Sequence, residues 1–227
     1  EFLSQHGVNY IERDIENDEG ALDELRALGF RTVPVTAVGE HTISGFNPNQ
    51  LSEALQLGIK VAVRDPEETL PLLGRVLDAV QRAVRQMPNE GLDWTAPDRD
   101  RPMREFAYHI FLMVRNTIRA LSTGATPEGA DTEARSYSSF QQIAEFGGTV
   151  IDDFKGWSAN PDLDALRAPI ADGAEGRNGA ERLDLVAGHS VQHMRQLYFV
   201  LEEFGVTVED RLPDSELPPE YVLTILW

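Results

Sequence analysis

The feature that most constrains the fold of this chain is a change in the spacing of its apolar residues near residue 66. From Glu67 onward, apolar residues recur every three to four positions, which is typical of amphipathic helices. Pro and Gly residues interrupt the pattern, so that four helices are predicted over residues 67–87, 102–122, 132–157 and 179–204. Two of the connections are long enough to permit crossovers between helices that are not adjacent in space.

The first sixty residues instead alternate between helix and strand signals. The pattern predicts, in order, a helix ending near His6, a strand over 8–15, a helix over 18–28, strands over 32–38 and 41–44 around a tight turn, and a helix ending at Leu57. Gly58 to Pro66 reads as a linker. We therefore expect an α/β domain at residues 1–60 and an all-α domain at residues 65–227.

The charge and composition of the chain argue against several classes of partner. The formal net charge is −18, and Lys and Arg form no cluster of the kind that binds phosphate backbones, so nucleic acids and anionic membranes are not expected partners. No apolar run approaches the roughly 20 residues that cross a bilayer, and no signal-peptide pattern is present. We therefore expect a cytoplasmic protein.

The sequence contains no cysteine. This excludes disulfide bonds, a Cys nucleophile and thiolate metal ligands within the sequence. Any thiol chemistry must use a thiol from another molecule.

Three histidines of the helical region form a candidate metal site. His189 and His193 are four residues apart and therefore share one face of the last helix, where two imidazoles can hold one ion. Ser190 stands where zinc proteases of the paired-histidine type have Glu, so that class is rejected. His109 lies on the inward face of the second predicted helix.

Together, His109, His189 and His193 predict a divalent-metal site, with zinc as the first expectation and nickel, iron or manganese as alternatives. Three protein ligands leave a coordination position open, which is the pattern of catalytic sites. The alternative is a set of hydrogen-bonded core histidines. The side chains predicted to contact the ligands from outside are Gln192, Gln196, Glu105 and Asp184.

The last segment, Gly205 to Trp227, ends in an apolar run. We expect it to pack on the helices or on the first domain, and a homodimer contact is the alternative.

The helical region resembles the DinB-like superfamily, which includes mycothiol- and bacillithiol-dependent transferases and isomerases. The resemblance covers about residues 67–204 and rests on the following residues: Leu92-Asp93-Trp94 with Pro97, Met103-Arg104-Glu105, His109, and the pair His189 and His193. It implies a four-helix bundle with long crossover connections. It also implies a metal held by one histidine of the second helix and two of the fourth.

The first region resembles the back part of a glutaredoxin, a thioredoxin-fold protein. The matching residues are Thr32-Val33-Pro34, Ser44-Gly45-Phe46 and the helix from Asn47 to Leu55. The resemblance implies that Pro34 is cis and that the Val33-Pro34 backbone binds a thiol cosubstrate, whereas the alternative is an ordinary edge-strand proline.

The first strand and the Cys-x-x-Cys motif of that family are absent from the sequence. Either residues upstream of Glu1 are missing, or the domain has degenerated. Dimerisation is a further way to fill the resulting gap in the sheet.

These observations lead to three functional hypotheses. The first is a metal-dependent transferase or detoxification enzyme that uses a low-molecular-weight thiol and acts on an electrophilic small molecule. The second is a non-enzymatic metal- or ligand-binding protein. The third is a thiol–disulfide oxidoreductase, which requires an upstream Cys-x-x-Cys.

Overall fold

The computed structural model describes residues 2–15, 18, 20–30, 33–44, 47–60, 62–96, 100–125, 127–168 and 178–222. The chain divides into two compact units, with the boundary in sequence between Ala62 and Val63. Within the described residues, no helix is both long enough and apolar enough to cross a membrane.

The first unit contains a small antiparallel sheet and three short helices. Its elements are α1 (Phe2–Gln5), α2 (Ala21–Ala27), β1 (Val35–Val38), β2 (His41–Ser44) and α3 (Pro48–Ala54). In the sheet, Val35 lies opposite Ser44 and Val38 lies opposite His41. Gly39 has a φ of 60°, the left-handed conformation that the tight turn between the strands requires. The Val33–Pro34 peptide bond is cis, as the glutaredoxin resemblance implied.

The strand predicted over residues 8–15 is wrong. Residues 8–14 form no regular secondary structure, and β1 and β2 pair with each other rather than with this segment. The side chain of Ile11 is 88% exposed, so the alternation of apolar residues does not face a core. A strand requires a neighbour for its backbone hydrogen bonds, and no described residues supply one here. The strand predicted over 32–38 begins at Val35, and Thr32 lies outside the described residues.

The second unit is a helical bundle. Its helices are α4 (Pro66–Gln86), α5 (Met103–Thr123), α6 (Phe140–Ser158), α7 (Leu163–Arg167) and α8 (Gly179–Glu203), and short 3₁₀ turns lie at Asn89–Gly91, Asp131–Ser136, Asp214–Glu216 and Pro219–Tyr221. The predicted fold class, a partial thioredoxin-like region followed by a DinB-like helical bundle, is therefore confirmed.

The four long helices surround one apolar core. α4 packs against α6 and α8, and α5 packs against the same two helices, so that α4 and α5 lie on one diagonal and α6 and α8 on the other. Helices that follow one another along the chain, α4 and α5, are thus not adjacent in space. The long connection between them crosses the bundle, as the connection lengths in the sequence permitted.

The start of the third predicted long helix is wrong. The sequence pattern placed it at residue 132, but α6 begins only at Phe140. The Ser139 side chain accepts a hydrogen bond from the Gln142 backbone and caps α6, while residues 131–136 form a separate 3₁₀ turn. A capping side chain satisfies backbone N–H groups that would otherwise lack partners, so it fixes the helix start.

The C-terminal segment packs on the bundle through residue 222. Leu212, Leu217 and Tyr221 are buried in its core. The Tyr221 hydroxyl donates a hydrogen bond to Asp184 of α8, and the Tyr221 ring lies over the bare Cα of Gly188. The segment therefore holds α8 one residue before His189.

Candidate metal centre

Two helices carry the three predicted ligands. Pro102 precedes α5 and Gly124, in the left-handed conformation, ends it, so that His109 lies in the second turn between the buried residues Tyr108 and Ile110. Asn178 starts α8 through a capping box with Glu181.

The structure brings His109, His189 and His193 together. One nitrogen of each ring can be chosen so that all three lie within 4.8 Å of one another. His109 Nε2 is 3.3 Å from His189 Nε2, and the His189 and His193 rings are 4.1 Å apart at their centroids. All three residues are of intermediate exposure.

Hydrogen bonds orient two of the three rings. His109 Nδ1 donates to Asp131 Oδ1 at 2.9 Å, and His193 Nδ1 donates to Gln196 Oε1 at 2.5 Å. Each bond leaves the Nε2 lone pair of that ring free. Phe106 packs edge-on against the His193 ring, with centroids 4.7 Å apart, and further restricts its orientation.

The third ring is held differently. His189 Nδ1 is buried and has no hydrogen-bond partner among the described residues. Packing within α8 and the contact with His109 therefore fix this ring, rather than an outer hydrogen bond.

The environment of His189 and His193 favours the neutral form of both rings. Burial, together with the neighbouring His193 and His109, lowers the pKa of His189 well below its usual 6.5. Burial also lowers the pKa of His193 to about 4, although the bond with Gln196 acts in the opposite direction. Neutral imidazole is the form that binds metals.

Asp131 supplies a negative charge beside the cluster. Burial alone would raise its pKa, but the hydrogen bond from His109 and nearby positive charge that includes Arg101 outweigh that effect, so its pKa lies below the ordinary value. An ionised carboxylate on the far nitrogen of a ligand histidine is the usual outer partner in metal sites.

The three histidines fit a divalent metal. A tetrahedral ion with metal–nitrogen distances of about 2.0–2.1 Å separates its nitrogen ligands by roughly 3.3 Å. The His109–His189 nitrogen separation of 3.3 Å meets this requirement, and one nitrogen of each of the three rings lies within 4.8 Å of the others. Nitrogen ligands of this type suit zinc, nickel and iron better than magnesium or calcium.

Of the four predicted outer contacts, Gln196 contacts a ligand histidine. Glu105 instead pairs with Arg135 at 2.7 Å, Asp184 accepts from Tyr221, and Gln192 accepts from Arg195. Asp131 was not predicted. It lies in the connection after α5 with other acidic residues, and nothing in its sequence context distinguishes it from Glu128 or Glu133.

Comparison with known families agrees with the two-part organisation. The family model of the DinB superfamily matches residues 72–197, which span all three histidines and more than half of the chain. This chain belongs to the DinB superfamily. The glutaredoxin family model matches residues 1–43, in the first unit of this DinB-superfamily protein. No curated protein matches the sequence.

A surface groove of about 560 Å³ lies on the bundle but does not include the histidines. It is lined by Ser136, Tyr137, Gln142, Glu145, Phe146 and Thr149. The groove and the histidine cluster therefore have no residue in common.

Proposed function

We propose that this protein is a metal-dependent transferase that activates a low-molecular-weight thiol and joins it to an electrophilic small molecule. The observation that carries the proposal is the cluster of three histidines, in which one ring nitrogen of each lies within 4.8 Å of the others. Three protein ligands leave room for an exogenous ligand. The glutaredoxin match of the first unit supports a small thiol as that ligand.

The residues of the chain have distinct roles in this proposal. His109, His189 and His193 hold the metal, with Asp131 and Gln196 orienting two of the rings. A divalent metal held there lowers the pKa of a thiol that binds to it. The thiol proton passes to water, the sulfur attacks an electrophilic carbon, and a carbon–sulfur bond replaces the bond to a leaving group, which departs with its electron pair.

The first unit has a separate role in the proposal. In it, the backbone at Val33 and Pro34 binds a low-molecular-weight thiol at a position of its own, in keeping with the glutaredoxin match of this unit. The partners are small molecules rather than nucleic acids or membranes, in keeping with the net charge of −18.

Elemental analysis is the primary test. Protein purified without an affinity tag should contain close to one equivalent of zinc, nickel, iron or manganese, and the His193→Ala variant should lose it. Addition of a small thiol and a chromogenic aryl halide should then give thioether with the wild type and none above background with the variant. Metal-free wild-type protein that also fails to bind added metal contradicts the proposal.

A non-enzymatic metal- or ligand-binding protein is the second candidate. The observation that favours it is that the groove described on the bundle is lined by residues other than the three histidines. Stoichiometric metal without thioether formation, over a panel of thiols and electrophiles, would support this candidate.

A further inference from the structure

The cationic side chain of Arg101 contacts Asp131, the carboxylate that accepts a hydrogen bond from His109 of the histidine cluster. Its Nη2 is 3.5 Å from Asp131 Oδ2, while the other oxygen of Asp131 accepts from His109 at 2.9 Å. His109 Nε2 in turn lies 3.3 Å from His189 Nε2. These distances connect the guanidinium to two of the three ligands through successive contacts.

The backbone next to Arg101 is held in place. Pro102 forms an isolated β-bridge with Thr95, and the Met103 N–H donates to the Trp94 carbonyl at 2.9 Å. Arg101 therefore leaves the chain at a fixed point at the start of α5. From this position its side chain extends to Asp131.

The guanidinium of Arg101 has hydrogen-bond donors beyond those that its ion pair with Asp131 can use. Its separation of 3.5 Å from Asp131 exceeds the 2.7–2.9 Å of a strong charge-assisted bond. Among the described residues, Asp131 is its one ion-pair partner, and the side chain is 42% exposed. A guanidinium carries five N–H groups, so one ion pair leaves donors for a further acceptor.

The charge of Arg101 also reaches the rings on α8. It contributes to the lowered pKa of both His189 and His193, after burial and the neighbouring histidines. The charge of Arg101 therefore acts on the histidines of α8 as well as on Asp131. The chain is otherwise strongly acidic, with a net charge of −18, so an anion needs such a local positive group to approach.

We propose that Arg101 binds a carboxylate on the ligand of the metal site, so that the protein selects thiols bearing a carboxylate over uncharged thiols. This inference rests on the proposed function and specifies the class of its cosubstrate. A guanidinium can grip a carboxylate through two parallel hydrogen bonds. Arg101 is thus a specificity-determining residue, and the three histidines are the metal ligands.

The test compares two thiols that differ in charge. The full-length protein is loaded with Co²⁺, and 3-mercaptopropionate or uncharged 2-mercaptoethanol is titrated while the sulfur-to-cobalt absorption band is recorded. We expect the wild type to bind 3-mercaptopropionate about tenfold more tightly or better, the range of a charge-assisted hydrogen bond. In Arg101→Gln, the two affinities should become equal, with that for 2-mercaptoethanol unchanged.

Arg119→Gln is the matched control. Arg119 is 40% exposed, pairs with Glu128 and lies near the end of α5, so its loss removes the same charge from a similarly exposed position. This variant should keep the preference of the wild type. Arg101→Lys should keep only part of it, because an ammonium group cannot make the paired hydrogen bonds.

The possible results separate this inference from the function on which it rests. Equal binding of the two thiols by cobalt-loaded wild type overturns the role of Arg101 but leaves the metal site intact. Equal weakening of both thiols in Arg101→Gln also overturns it, because Arg101 would then act only through Asp131. Failure of the wild type to bind cobalt, or of either thiol to alter its spectrum, overturns the proposed function and this inference with it.

Discussion

Replacement of Asp131 tests the orientation of the metal ligands most directly. Asp131→Asn keeps the size of the side chain and an oxygen that can accept from His109 Nδ1, but removes the negative charge. The bond in question is 2.9 Å long, and its two side chains are only 16% and 22% exposed, so water screens it weakly.

The expected magnitude follows from the type of bond that is lost. A hydrogen bond to a charged group contributes about 1.5–3 kcal/mol and a neutral one about 0.5–1.5 kcal/mol. The Asn variant should therefore lose about 1–1.5 kcal/mol of metal-binding free energy, or roughly tenfold in affinity. Asp131→Ala removes the acceptor as well, and should weaken binding by about a hundredfold, the upper end for outer-shell partners.

The assay is a competition titration of zinc against a chromophoric chelator at pH 7.5. Asp78→Asn is the control, because it removes the same charge from a surface pair with Lys155. In a His109→Ala background, the Asn substitution should have little further effect, since the two residues act as a unit. If Asp131→Ala binds zinc within twofold of the wild type and melts at the same temperature, the orienting role of Asp131 is refuted.

Three further predictions concern stability. Zinc at a hundredfold excess over its dissociation constant should raise the melting temperature by about 5–10 °C, because binding adds about 2.7 kcal/mol, and a chelator or His193→Ala should abolish the rise in a thermal scan. In the metal-free protein, the pKa of His193 is about 4 in the folded chain and about 6.5 in the unfolded chain. Between these values only the unfolded chain binds a proton at His193, so the free energy of unfolding should fall by about 2 kcal/mol from pH 7.5 to pH 5. The lowered pKa of His189 acts in the same direction. If a variant with both His189→Gln and His193→Gln shows the same loss of unfolding free energy in urea titrations at pH 5, these two histidines are not its cause. Gly147→Ala in α6 should cost about 1–3 kcal/mol in urea unfolding, because its Cβ would lie 2.4 Å from the fully buried Phe111 ring. Gly156→Ala in the same helix meets nothing within 4 Å and should be neutral or stabilising, so equal losses in both variants would refute the steric explanation.

The parts of the fold that could be predicted depend on local sequence. Helix periodicity located α4, α5 and α8 to within a few residues, because each buries a continuous apolar face. Periodicity also assigned the histidines to inward positions on two of these helices. Whether they hold a metal stays a prediction, but their proximity required only that α5 and α8 be neighbours.

The parts that could not be predicted depend on long-range contacts. Apolar and polar residues alternate over residues 8–14, but a strand also requires a neighbouring strand, and the local sequence does not show whether one is present. The start of α6 depended on the Ser139 cap, and residues 131–136, which are mostly polar, form a separate 3₁₀ turn that the helix periodicity does not describe. Asp131 is 22 residues from His109, in a connection whose path no periodicity describes.

The diagonal placement of α4 and α5 has a consequence for the way the chain acquires its structure. As the protein leaves the ribosome, α4 emerges before every helix against which it packs, since its neighbours are α6 and α8 rather than α5. A simple hairpin of the first two long helices therefore cannot form as an early stable unit. The apolar face of α4 therefore remains exposed to solvent until at least Phe140 of α6 has been synthesised. This face includes Leu73, Val76, Leu77 and Val80. Completion of the core by such distant contacts slows folding relative to a bundle of sequential neighbours, and it makes the partly synthesised chain a natural client for chaperones.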